Sequence, residues 1–264
     1  MNLPTDKMLA RRDGCIGWMT FNNPARRNAL SYEMRLAILQ ILEDFETDDT
    51  IRVIVMHGAG DKSFVAGADI SQFDSMRATP EQQAEYERVS QAVQSRYATL
   101  AKPLIAMIQG FCLGGGLQTA LAADLRIASQ DSMFGIPAGR LGIAYAWASV
   151  SKLVEIVGPA KAKDILFTAR RIPALEAYQM GLVNKVVPAA DLEDTVREVA
   201  ATIASNAPLS IIAAKRAIDE LVKDPANRDE AGAKAAGKRA MESEDFIEGR
   251  RAFMEKRTPV WKGR

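Results

Sequence analysis

Apolar positions recur with two different periods up to about residue 187, and with the helical period alone after it. Cys15–Phe21 (CIGWMTF), Arg52–Met56 (RVIVM), Leu104–Ile108 (LIAMI), Leu125–Ala128 (LRIA) and Val183–Val187 (VNKVV) are short and partly β-branched, which predicts buried strands, with a further short one around Met133–Phe134. Between them, apolar residues fall at helical spacing. Met34, Ile38, Ile41, Leu42 and Phe45 follow a candidate cap at Ser31 and give that helix one apolar face, which Asp48–Thr50 terminate. A helix is expected to begin near Asp69, and the polar stretch from Ser71 to Glu87 reads as loop and helix continuing to about Leu100. Two helices, Ala146–Val157 and Pro159–Phe167, flank a Gly-Pro joint, and another runs from Pro173 to a C-cap glycine at Gly181. After Asp191 the pattern predicts only helices: Asp191–Asn206, Leu209–Asp224 and Arg228–Glu255, with Pro208 and Pro225 as breakers. The reading is an α/β core followed by a helical region.

Within this pattern, Lys102–Ser129 stands apart. An apolar strand leads through a turn at Gly110 into Gly114, Gly115 and Gly116, then into an Ala- and Leu-rich helix over Leu117–Ala123. Strand, glycine turn and buried helix together present bare backbone N–H groups at a helix start, an arrangement suited to a developing oxyanion.

Composition narrows the classes of function. The 264 residues are 48% hydrophobic and 25% charged, with a net charge of +1, so neither nucleic acid nor an anionic membrane surface is an expected partner. The first fourteen residues lack the apolar core of a secretory leader, and no stretch approaches the ~20 apolar residues of a membrane span. Cys15 and Cys112 are far apart and lack metal-ligand spacing, which predicts a reducing, cytoplasmic setting and no metal site. His57 is the single histidine and reads as structural, as does Cys112.

Four segments in order, NNPARRNAL (22–30), FVAGADI (64–70), KPLIAMIQGFCLGGGLQTALAADLRIAS (102–129) and GPAKAKDILFTARRIPALEAYQMGLVNKVVP (158–188), resemble the crotonase superfamily, the enoyl-CoA hydratase/isomerase family. The resemblance covers nearly the whole chain. It implies a spiral of ββα turns over residues 1–190 and a C-terminal helical trimerisation region over 191–264, assembled as a trimer or a dimer of trimers. It also implies an acyl-CoA thioester as substrate, with no cofactor beyond the coenzyme A that the substrate carries. Carried over by motif, Ala66 and Gly115 are the two backbone donors to the thioester oxygen. Gly114, Ala68, Asp69 and Ile70 line the cleft, and Arg26 or Arg27 meets the CoA phosphates. Phe246 and Phe253 correspond to positions that cap a neighbouring subunit's pocket, with plain helix packing as the alternative.

Two positions depart from the family pattern. Its hydratases carry one glutamate two residues after the glycine triplet and another after the proline of an FGxPE-like segment; here those positions hold Gln118 and Ala138. An amide and a methyl group cannot exchange protons with a water molecule. Gln118 either contacts substrate or water, or fills the space of a carboxylate without chemistry. In the segment that follows, Tyr145 and Trp147 stand beside the expected acyl pocket, and the Tyr145 phenol is a candidate hydrogen-bond donor. The expected function is an acyl-CoA-processing enzyme of this family that stabilises a thioester enolate. The same residues also suit a decarboxylase, isomerase or thioester hydrolase, or an acyl-CoA-binding protein without activity.

Overall fold

The computed structural model describes residues 1–69 and 78–264. The chain opens with a hairpin in which β1 (Met8–Asp13) pairs antiparallel with β2 (Ile16–Phe21) around Gly14, whose φ is 58°. Helix α1 (Tyr32–Thr47) follows. One pattern then recurs three times: a long strand, a three-residue strand and a helix. These turns are β3 (Val53–Gly58), β4 (Ser63–Val65) and α2 (Pro80–Ala98); β5 (Leu104–Ile108), β6 (Phe111–Leu113) and α3 (Gly115–Leu121); β7 (Leu125–Ser129), β8 (Met133–Gly135) and α4 (Trp147–Thr168). Next come β9 (Ile172–Pro173), α5 (Ala174–Gln179) and β10 (Lys185–Val187), then α6 (Leu192–Ala204), α7 (Pro208–Leu221), α8 (Glu230–Met241) and α9 (Glu244–Glu255). The five long strands and the short β10 form a six-stranded sheet in the order β1-β2-β3-β5-β7-β10, parallel from β2 onward. The other short ones form a second sheet, β4-β6-β8-β9. The expected spiral of ββα turns is therefore present.

The large sheet is buried on both faces, which explains why β3 reads VIVM without polar interruption. Ile54 and Met56 join the main core with Met19, Phe21 and the apolar face of α1. Val53 and Val55 point the other way, with Ile16, Trp18, Ile105 and Ile127, onto Leu192, Val196 and Ala200 of α6. Ser31 caps α1 as expected, its hydroxyl accepting from the Met34 N–H at 3.2 Å. At the other end of α1, Lys102 donates to the carbonyls of Phe45 (2.8 Å) and Asp48 (2.7 Å), so the lysine before β5 closes that helix's C-terminus.

Several expectations change. Strand β1 was not legible because, of its six residues, only Met8 is buried. Strands β4 and β6 are too short to carry a period. The single helix expected over Arg228–Glu255 is two, because Ser243 turns the chain and caps α9, its hydroxyl accepting from the Phe246 N–H at 3.1 Å. The two helices expected on either side of the Gly-Pro joint are both present within α4, separated at Gly158, whose φ of 78° and ψ of 164° are not helical. The helix expected near Asp69 lies outside the described residues. The C-terminal tail folds back on α9. The buried Asp245 carboxylate accepts from the N–H groups of Lys262 (2.6 Å) and Gly263 (2.9 Å), and the Trp261 indole donates to the Ser205 carbonyl at 2.6 Å. No helix among the described residues is long and apolar enough to cross a membrane.

His57, at the end of β3, is structural in the sense expected. Its Nδ1–H donates to the Gly58 carbonyl at 3.2 Å and its Nε2 accepts from the Thr20 hydroxyl at 2.8 Å, with Trp18 edge-on to the ring at 5.5 Å. Burial holds its pKa below the ordinary histidine value. The unfolded chain therefore takes up a proton first as the pH falls. The stability contribution is complete above about pH 6.5 and is lost as the pH drops through the folded value. Thermal unfolding between pH 7.5 and 5.5 should show this as a fall in midpoint that is smaller in a His57→Gln variant; an identical fall in both proteins would contradict it.

Candidate active site

Two loops meet at the site, and the first is held by Asn28. This residue is buried with φ 57°, and its side chain works in two directions. Its Oδ1 accepts from the Asn23 N–H (2.9 Å), while its Nδ2 donates to the carbonyls of Ala59 (3.0 Å) and Ser63 (2.7 Å). The NNPARRNAL loop is thereby clamped to the segment around β4. There is room for this clamp because position 58 is glycine: a Cβ there would lie 2.2 Å from the Ser63 carbonyl oxygen.

The FVAGAD segment then runs beside residues 27–30. The Ala66 N–H donates to the Arg27 carbonyl (3.0 Å), Leu30 N–H to the Gly67 carbonyl (2.9 Å), and Asp69 N–H to the Leu30 carbonyl (2.9 Å). Ala66 was an expected oxyanion donor, and this corrects it, because its N–H is already spent inside the protein. Gly67, with φ 98°, turns the backbone between the two alanines. The Ala68 nitrogen instead faces the glycine triplet, 3.6 Å from where a Cβ on Gly115 would stand, and has no protein partner among the described residues. Ala68, expected only to line the cleft, thus occupies the place assigned to Ala66. Asp69 is buried beside it, and Ile70 lies outside the described residues.

The triplet supplies the facing side. Gly114 has φ 55° and ψ −121°, and its N–H is taken by the Gly135 carbonyl at 2.8 Å. Gly115 is the first residue of α3, and its N–H has no partner among the described residues. Gly116 is where the helix touches β4: a Cβ there would sit 1.9 Å from the Val65 carbonyl oxygen, so only glycine fits. Ala68 and Gly115 therefore form a pair of unspent backbone N–H groups held by packed neighbours. Cys112 lies fully buried beneath them, with burial pushing its thiol pKa up.

Apart from Asp69, the side chains described beside this pair are neutral. The Tyr145 hydroxyl lies 3.6 Å from where a Gly114 Cβ would be, and burial pushes its pKa up to about 12, so the phenol keeps its proton at any ordinary pH. Gln118 donates from Nε2 to the hydroxyl of Ser149, a residue that the sequence pattern did not single out. Only the register of α4 reveals it, because its hydroxyl comes to the site two positions into that helix. Ala138 is buried, with its carbonyl accepting from the Ile143 N–H at 3.0 Å. Trp147 is corrected: at 88% exposed it stands on the surface and does not line a pocket in the single chain. Arg26 is exposed in the short turn Pro24–Arg26. Its neighbour Arg27 lies over the Phe111 ring at 5.2 Å, and Arg171, which the sequence did not suggest, lies over the same ring at 5.1 Å. Phe246 is 37% and Phe253 83% exposed on α9. Among the described residues no group of three or more His, Cys, Asp or Glu side chains could hold a metal ion.

Comparisons with known proteins give the family. The sequence model of the family described as Enoyl-CoA hydratase/isomerase matches residues 11–264. A short-chain-enoyl-CoA hydratase of Clostridium acetobutylicum is 35% identical over 252 residues, covering 96% of each chain. A carnitinyl-CoA dehydratase of Escherichia coli is 35% identical over 257 residues, covering 96% of this chain and 97% of its own. The crystal structure of an enoyl-CoA hydratase/carnithine racemase from Magnetospirillum magneticum superposes with a TM-score of 0.93 at 34% identity, covering 98% of this chain and 97% of that one. With a spiral fold, a glycine-triplet site and matches along its whole length, this chain belongs to the enoyl-CoA hydratase/isomerase family and is an enzyme of that family.

Proposed function

We propose that the chain binds acyl-CoA thioesters and stabilises their enolates with the backbone N–H groups of Gly115 and Ala68. The observation that carries this reading is the placement of two unspent donors side by side, while Ala66 and Gly114 have given theirs to the protein. Such fixed donors act on charge as it develops in the transition state, and one is worth about 3–4 kcal/mol. Tyr145, beside Gly114, is the proposed donor of a neutral hydrogen bond, and Arg26, Arg27, Asp69 and Ile70 are proposed for the coenzyme A side of the cleft. The chemistry requires no cofactor beyond the coenzyme A of the substrate.

Water addition needs a base and an acid on one face of the substrate, and Gln118, Ser149 and Ala138 can be neither. This favours a second reading, in which the enolate arises without proton removal. In a substrate bearing a carboxylate on its second carbon, the carbon–carbon bond electrons pass into the thioester as CO2 leaves, and a proton later returns to that carbon. The unpaired thiols of Cys15 and Cys112 support a cytoplasmic location, and the net charge of +1 supports the absence of a nucleic-acid partner.

In this reading residues 1–190 carry the chemistry and 191–264 the assembly, with α6 closing the sheet from the second segment. Exposed apolar side chains on the later helices, among them Ile218, Leu221, Met241, Phe253 and Met254, support a homotrimer or a dimer of trimers. Sedimentation equilibrium should return three or six chains; a monomer would remove this part of the proposal.

Two alanines separate the roles. Ala68→Pro removes a backbone N–H that has no partner among the described residues, and should slow turnover of the preferred CoA ester by about 10²–10³-fold with little change in unfolding midpoint. Ala66→Pro removes the bond to Arg27 and should act on stability instead. Equal rates for Ala68→Pro and the parent would exclude Ala68 as a donor. With crotonyl-CoA, hydration should run at least ~100-fold below a relative bearing both glutamates, and a rate within tenfold of it would overturn the objection to water addition.

A further inference from the structure

We infer that Arg126 is a charge held behind α3 that strengthens the grip of the Gly115 N–H on the thioester oxygen. This rests on the reading that the oxygen sits at Gly115 and Ala68. Arg126 lies in β7, paired with Ala106 of β5, and only 5% of it is exposed. Its Nε donates to the Leu182 carbonyl at 2.8 Å and its Nη1 to the Ala123 carbonyl at 2.7 Å. Among the described residues it forms no ion pair. Asp124, the carboxylate that acts on it most, is taken by Lys215, which lies 2.7 Å from both carboxylate oxygens.

Burying a cation among neutral partners is unfavourable, and buried charges are as a rule paired. Burial pulls the Arg126 pKa below its ordinary value, but a guanidinium titrates so high that the charge stays. A neutral amide side chain would meet carbonyl oxygens without this cost, so the hydrogen bonds alone do not require arginine.

The place of Arg126 in the fold gives its charge a use. Gly115 opens α3, and the chain leaves that helix through Ala122 and Ala123, whose carbonyl Arg126 holds. Helical rise puts the guanidinium roughly 12–15 Å behind the Gly115 N–H. The other charges that reach Arg126 are paired, Asp124 with Lys215 and Glu155 with Lys152. Asp219 of α7 acts on those two pairs but is not among the groups that act on Arg126. At an effective dielectric constant of ~20, one positive charge at this distance favours a developing oxyanion by about five- to tenfold in rate. Arg126 also pins the far end of α3, a positioning role that does not depend on charge. Lysine and glutamine separate the two roles, because lysine keeps the charge and glutamine keeps an N–H donor without it.

The infrared spectrum of butyryl-CoA labelled at the thioester carbonyl and bound to the full chain tests this. Arg126→Gln should move the carbonyl stretch up toward its value in water, and Arg126→Lys should hold it near the parent value. For the CoA ester that the parent turns over, kcat should fall about five- to tenfold in Arg126→Gln, with KM nearly unchanged. If Arg126→Gln does not fold, Asp124→Asn decides: it removes the carboxylate acting most on Arg126 and should lower the frequency below the parent value. An unchanged frequency in Arg126→Gln, or equal rises in the glutamine and lysine variants, would overturn the inference. A frequency in Asp124→Asn at or above the parent value would do the same. A parent that leaves the carbonyl at its frequency in water, or does not bind butyryl-CoA, would instead overturn the donor reading on which the inference rests.

Discussion

The site depends on one contact: the first turn of α3 lies against the Val65 carbonyl with no space for a Cβ at Gly116. That contact presses the helix start onto the strand preceding Gly67 and Ala68. The two N–H groups reach their relative position through backbone packing alone, and no side chain has to adopt a rotamer to supply them. Cores at this density transmit displacement with little slack, so a shift of β4 would move one donor relative to the other. Asn28 keeps β4 in place by bonding the carbonyls of Ala59 and Ser63, and the ladder through Arg27 and Leu30 orients the segment that follows. A loop early in the chain thus controls which alanine faces the glycine triplet.

On the Gly114 side of this rigid pair, the described side chains of Gln118, Ala138, Tyr145 and Ser149 carry no charge. Gln118, Ser149 and Tyr145 keep their hydrogens at ordinary pH, and Ala138 has none to exchange. Two backbone N–H groups are left unspent, while the side chains of Gln118, Ser149 and Ala138 carry no group suited to proton transfer. The two halves are built differently. The donors rest on backbone contacts deep in the fold, whereas the lining comes from side chains on α3 and the segment that enters α4.

Much of the fold was legible because its elements carry long, regular burial patterns. Leu104–Ile108 was read to the residue, since a five-residue strand buried on both faces admits no polar position. Helix α1 was read from its cap and its apolar face. Strand β1 was hidden by two consecutive arginines at a sheet edge, and β4 and β6 by their length of three residues. At the site, Gly115 was singled out by the resemblance of its whole segment to the family, because a glycine triplet alone is a common turn; the structure leaves its N–H without a partner among the described residues. The choice between Ala66 and Ala68 was not, since both are alanines in one motif and the difference lies in a hydrogen bond to Arg27 in a distant loop. Ser149 and Arg171 were missed for a related reason: their partners, Gln118 and Phe111, lie far away in sequence.

The central claim, that two backbone N–H groups grip a thioester oxygen, is tested most directly by the infrared spectrum of a bound CoA ester with an isotope-labelled thioester carbonyl. Two fixed donors withdraw electron density from the carbonyl bond. The account predicts a stretching frequency below that of the same ester in water, with the Ala68→Pro variant moving it back toward the free value. A bound ester whose carbonyl absorbs at the frequency found in water, in the parent and the variant alike, would contradict it.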